Sequence, residues 1–104
     1  MTDINFKIVT IISEPVLSSR LVTTIRTLGA TGFTMTRSEG EGSRGVRARD
    51  WEGPNLKFES IVSPEIADRI LEEVGETYFE DYAVIAWLTD VAVLRGGKFI
   101  GSSD

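Results

Sequence analysis

Neither cysteine nor histidine occurs among the 104 residues. Without a thiolate or an imidazole there is no structural zinc centre, iron–sulfur cluster, disulfide or imidazole acid–base catalysis. Basic residues are also scarce: 11 Lys and Arg stand against 16 Asp and Glu, a net charge of −5. A protein devoted to DNA or RNA carries the opposite sign on its working face, and an RNA-binding sheet needs stacking aromatics beside that charge. A few arginines can still set a local potential against the global one, so a small anion site is not excluded. Long apolar runs are missing too. The longest, Ala83 to Leu94, is interrupted by Thr89 and Asp90 and is too short to cross a bilayer. The opening residues MTDINFK lack the basic segment of a signal peptide, and the expected compartment is the cytoplasm.

What is present fits a single domain over residues 1–104, with 41% hydrophobic and 26% charged residues. Ile4, Phe6, Ile8, Thr10 and Ile12 alternate with a second register containing Val9 and Ile11, which predicts a well-buried strand. Ser13-Glu14-Pro15 reads as a helix start with Ser13 as cap. Leu17, Leu21, Ile25 and Leu28 come next at helical spacing, with Gly29 as the stop. Residues 31–37 predict a second strand. After a polar run, Leu56, Phe58, Ser60 and Val62 predict a third strand, and Ser63-Pro64-Glu65 opens a helix carrying Ile66, Ala67, Ile70, Leu71 and Val74. TIISEPVL and ESIVSPEI are near-echoes. Residues 83–94 predict a last long strand, and Lys98–Ile100 a short extra one. The order β-α-β, loop, β-α-β predicts an α+β, ferredoxin-like sandwich with both helices on one face of an antiparallel sheet. Trp87, Leu88, Val91, Val93 and Leu94 make both faces of the last strand apolar, so the open face is expected to bury itself against other copies of the chain.

The polar run between the halves, TRSEGEGSRGVRARDWEGPN, holds Arg37, Arg44, Arg47 and Arg49 and four of the ten glycines. Gly40, Gly42 and Gly45 have the spacing of a dinucleotide fingerprint, but RARDWEGP cannot open the helix which that motif requires. No Gly-Lys-Ser/Thr is present, so the run is not an NTPase phosphate loop. Its glycines can turn successive N–H groups inward as an anion nest, with Ser43 adding a hydroxyl and Arg44 and Arg47 forked donors for phosphate. A mobile hairpin loop kept solvated by its charges is the alternative, and the residues alone leave both readings open. Glu72, Glu73, Glu76, Glu80 and Asp81 form a dense carboxylate run. The first three sit at helical spacings away from the apolar face, which marks a solvated surface, and no general acid, general base or metal ligand is assigned. Trp51 is either a partner anchor or folded back on its own loop.

ATGFTMTRSEGEGSRGVRAR, with NLKFE after a gap and YFEDYAVIAW further on, resembles the PII-like regulators of the SbtB type over nearly the whole chain. The resemblance implies a homotrimer of ferredoxin-like subunits that senses adenine nucleotides (cAMP, AMP, ADP, ATP) in clefts between subunits. It implies control of SbtA, the sodium-dependent bicarbonate transporter of the cyanobacterial carbon-concentrating mechanism. The protein would then be cytoplasmic, held at the membrane only through the transporter, and not an enzyme. Gly42, Ser43, Arg44 and Arg47 match the family's phosphate-contacting segment at the base of a flexible T-loop, here about residues 39–54. Thr34 and Met35 match the strand lining the cleft, and Val84 and Ile85 the strand that presents backbone to adenine, where relatives can have glycine at the Val84 position. Arg49, Asp50, Trp51 and Glu52 match the loop tip offered to the transporter, expected to be disordered when free. No resident cofactor is implied, and a divalent ion beside ATP is compatible with the resemblance. Some members carry a redox-sensing Cys-Gly-Pro-x-Gly-Cys loop. This sequence has GGKFIGSSD and no cysteine, which excludes disulfide control. A metal-tolerance relative on a similar trimeric scaffold is disfavoured for want of His or Cys ligands. The alternative on the same fold is a small acylphosphatase-like phosphohydrolase, since fold alone does not determine function.

Overall fold

The computed structural model describes the chain over residues 3–39 and 54–94. Its elements are β1 (Asp3–Ser13), a single 3₁₀ turn (Pro15–Leu17), α1 (Ser18–Thr27), β2 (Thr34–Ser38), β3 (Asn55–Val62), α2 (Pro64–Tyr78) and β4 (Ile85–Val93). The sheet order is β2-β3-β1-β4 and every neighbouring pair is antiparallel. This is the expected ferredoxin-like arrangement. The extra strand at Lys98–Ile100 lies outside the described residues.

Register divides the sheet into two faces. Val9 stands opposite Ser60 and Leu88, and Ile11 opposite Phe58 and Ala86. These side chains meet Leu17, Leu21 and Ile25 of the first crossover and Ala67, Ile70, Val74 and Tyr78 of α2 in one core. The next register, turned to the other face, carries Ile8, Thr10 and Ile12 of β1, with Ile61 on β3 and Ile85, Trp87 and Thr89 on β4. Because β1 is central, its neighbouring strands shield even the register turned away from the helices: Thr10 is only 3% exposed, and Ile8 and Ile12 are half-buried. That is why the sequence is apolar at both parities there.

The two near-echoes resolve differently. In the second, Ser63 accepts the Ile66 N–H at 3.4 Å and caps α2, with Pro64 in the first position. In the first, Glu14 intervenes between serine and proline. Ser13 is not the cap: it ends β1, fully buried, and its Oγ donates to the Glu14 carbonyl. The Glu14 carbonyl also accepts the Leu17 N–H and closes the 3₁₀ turn that precedes α1. At the other end of α1, Ala30 N–H bonds to the Ile25 carbonyl and Gly29 N–H to that of Arg26. This is the Schellman pattern expected of Gly29.

Two strands are shorter than expected. β2 begins at Thr34 rather than at residue 31, because its ladder with β3 ends at Thr34–Glu59 and Gly32 gives its carbonyl to the Ser60 hydroxyl instead. β4 begins at Ile85 rather than at residue 83, for a reason that belongs to the site.

Gly29 has φ +120°, and a β-carbon placed there would lie 2.8 Å from Ile66 Cδ1. A Gly29→Ala variant is expected to lose about 1–3 kcal/mol of stability, the usual cost of a side chain forced into positive φ. Urea unfolding of parent and variant measures it. Equal midpoints with equal slopes would show that the turn relaxes without strain.

Candidate functional site

The site residues named from sequence fall into three groups. Gly42, Ser43, Arg44 and Arg47 lie outside the described residues, as do Arg49, Asp50, Trp51 and Glu52 with the expected disorder of the loop tip. Thr34 and Met35 open β2, one edge of the sheet. Ile85 opens β4, the opposite edge, and Val84 immediately precedes it. Two strands intervene, so the two pairs are about 14 Å apart at interstrand spacings of about 4.8 Å. Within one subunit a single base or sugar ring cannot touch both.

Strand alternation then separates Thr34 from Met35. Thr34 shares a face with Glu59, its register partner. It lines an open hollow of about 490 Å³ together with Ile8, Thr31, Gly32, Phe33, Glu59, Ser60 and Ile61. The space arises where the chain leaves the β2–β3 ladder. Met35 pairs with Phe58 on the helix side, 46% exposed, with Ser18 Oγ at 3.8 Å from its sulfur. Glu59 supplies the hollow's one carboxylate, and Lys57 Nζ lies 4.0 Å from it. A lining of aliphatic side chains, hydroxyls and one carboxylate suits a neutral ring or sugar better than a phosphate. Glu59 and Ile61 went unnoticed in the sequence, where a carboxylate within the alternating strand NLKFESIV reads as an ordinary outward position.

At the other edge, the turn before β4 is held by residues from the start of the chain. Glu14 Oε2 accepts the Ala83 N–H at 2.9 Å. The Arg20 guanidinium lies 5.0 Å from the Tyr78 ring centre and 5.9 Å from that of Tyr82, and its Nη1 is 3.4 Å from the Tyr82 hydroxyl. Ala83 is therefore committed to a side chain and cannot extend the ladder, so β4 starts two residues later. The signal for Glu14 was the insertion that spoils the echo, SEP against SP. Ile85 and Trp87 are 56% and 41% exposed on the face without helices. Glu72, Glu73 and Glu76 are exposed on α2, as a solvated helix surface requires. Among the described residues no group of acidic side chains could hold a metal ion.

Comparison with known proteins places this architecture. The family model for nitrogen regulatory protein P-II matches residues 6–98. A PII-like signaling protein of Thermus thermophilus is 50% identical, with a TM-score of 0.79 over 94% of this chain and 99% of its own. CPII of Thiomonas intermedia, bound to ADP, AMP and acetate, shares 22% identity and the fold, with a TM-score of 0.80 over 97% of this chain and 99% of CPII. A further structure of CPII, bound to ADP and bicarbonate, matches at 22% identity and a TM-score of 0.76, covering 90% of this chain and 93% of that one. The chain belongs to the P-II family. Members of that family are signalling proteins rather than enzymes, which sets aside the acylphosphatase-like reading that the shared fold had left open.

Proposed function

We propose that this chain is a regulator of the SbtB type: a homotrimer that senses adenine nucleotides (cAMP, AMP, ADP and ATP) and controls the bicarbonate transporter SbtA. The observation that carries the reading is the placing of the candidate residues on opposite edges of one sheet. A ligand that needs both edges needs two copies of the chain. The hollow beside Thr34 takes the neutral part of the nucleotide, the backbone at Val84 and Ile85 of a neighbouring copy closes on it, and Gly42, Ser43, Arg44 and Arg47 take the phosphates. The apolar face carrying Trp87 and Ile85 is what the copies bury against one another. CPII, bound to ADP and AMP in its own structure, shares this fold and lends the ligand class support. A divalent ion would accompany ATP and no cofactor is resident. The protein acts in the cytoplasm and reaches the membrane through its partner. No helix among the described residues is long and apolar enough to cross a membrane by itself.

The assembly is tested first. Light scattering of the dilute protein is expected to give about three times the subunit mass of 11.5 kDa. Trp87→Glu, which sets a charge in the apolar face, is expected to yield subunits. A parent mass of one subunit would sink the two-copy site.

Calorimetric titration with the four nucleotides tests the ligand class. Arg47→Ala is expected to weaken binding by about 1.5–3 kcal/mol, the scale of a charge-assisted hydrogen bond, with the fold intact. Unchanged cAMP binding would remove Arg47 from the site.

The transporter is tested by deleting residues 49–54. Trp51 is the residue there able to bury substantial apolar area in a partner, while the phosphate donors precede the cut. Nucleotide affinity is expected to survive and capture of SbtA from membranes to be lost. Retention of the shortened protein at full strength would place the contact elsewhere.

A further inference from the structure

We infer that Glu14 is a positioning residue for base recognition: its carboxylate holds the Ala83 peptide and thereby sets the backbone at Val84 and Ile85 that reads the nucleobase. The inference rests on the nucleotide reading above, and adds a residue that lies about 70 positions from the strand it controls.

The hydrogen bonds of the turn carry it. Between α2 and β4 the N–H groups of Asp81 and Tyr82 both go to the Tyr78 carbonyl, and that of Val84 goes to the Tyr82 carbonyl. Ala83 N–H has neither a ladder partner nor a local carbonyl and is taken by Glu14 Oε2 at 2.9 Å. A peptide N–H donating to a carboxylate makes a stronger bond than one donating to a neutral carbonyl. The acceptor is itself fixed: Glu14 has φ −65° and ψ 142°, Pro15 succeeds it, and its carbonyl closes the 3₁₀ turn by accepting the Leu17 N–H at 3.1 Å. Arg20, from the first turn of α1, stacks on Tyr78 and Tyr82, the residues at the end of α2 and within the same turn. Both ends of the bond therefore sit on rigid elements.

This matters for recognition because β4 is an edge strand. Its backbone can hydrogen-bond a base only if the strand begins at a fixed register, and base discrimination by peptide groups depends on which group, N–H or C=O, meets which ring atom. Freeing Ala83 lets the turn extend or slip, which would blur that choice and leave the phosphate contacts untouched.

The test uses the full chain with Glu14→Ala, Glu14→Gln and Glu14→Asp, measuring ADP and GDP affinity by calorimetry and the Ala83 amide by hydrogen exchange. Glu14→Ala is expected to weaken ADP about tenfold and GDP by less, so that base discrimination falls, with faster exchange at Ala83. Glu14→Gln keeps an oxygen acceptor and is expected to stay within about threefold of the parent. Glu14→Asp keeps the charge but is one methylene too short, and is expected to behave as Glu14→Ala does; it carries the test if the alanine variant does not fold. Equal ADP affinity and discrimination in Glu14→Ala and parent overturns the inference. A parallel loss for ADP and GDP that glutamine does not rescue also overturns it, by showing a merely structural role. A parent protein that binds no adenine nucleotide overturns the nucleotide reading itself, and this role with it.

Discussion

Two helices can cover one face of a four-stranded sheet and no more, and the rest of this molecule answers to that limit. Val9, Ile11, Phe58 and Val62 are sealed beneath α1 and α2. The opposite face still carries Ile8, Ile12, Ile61, Ile85 and Trp87, and a sheet of this size cannot leave them to water without inviting association. The edges are under the same pressure. β2 is only five residues long and almost wholly exposed, and β4 begins with Ile85 in solvent. An edge strand with unpaired backbone groups is a place where another molecule docks. Thr34 and Ile85 both stand on such edges, Thr34 on β2 and Ile85 on β4.

Where each edge strand begins is decided by a side chain rather than by the ladder. Ser60 takes the Gly32 carbonyl and ends the β2 pairing, which opens the hollow beside Thr34. Glu14 takes the Ala83 N–H and delays β4 until Ile85. In both cases a group that would have continued the sheet is satisfied laterally, so the strand stops without leaving a buried polar atom unpaired. Among the described residues no buried side-chain nitrogen or oxygen lacks a partner.

The elements were legible in the sequence because their signals are local. Alternation gave the strands, Ser63-Pro64 gave the start of α2, and Gly29 the end of α1. Ser13 misled because a cap is recognised by its own residue type and not by its neighbour, and the inserted Glu14 moved the first turn one residue on. Thr34, Val84 and Ile85 were reached through resemblance, and the structure adds that they belong to opposite edges. Glu59, Ile61 and Glu14 escaped because their meaning is long-range. Glu59 becomes part of a hollow only when β2 departs from β3, and Glu14 acts 69 positions away on Ala83. No window of sequence contains both partners.

Charge completes the account. A net charge of −5, spread evenly, would disfavour any anionic ligand. Yet Glu72, Glu73 and Glu76 are exposed on α2, whose other side, through Ala67, Ile70 and Val74, is pressed into the core beneath the sheet. The hollow opens on the far face, so these carboxylates are separated from it by at least a helix diameter, about 10 Å, which exceeds the screening length of about 8 Å at physiological salt. The local carboxylate, Glu59, has Lys57 4.0 Å away. The arginines run against this acidic balance along the chain: Arg37, Arg44, Arg47 and Arg49 fall within thirteen positions, a concentration of positive charge able to set a local potential opposed to the global one.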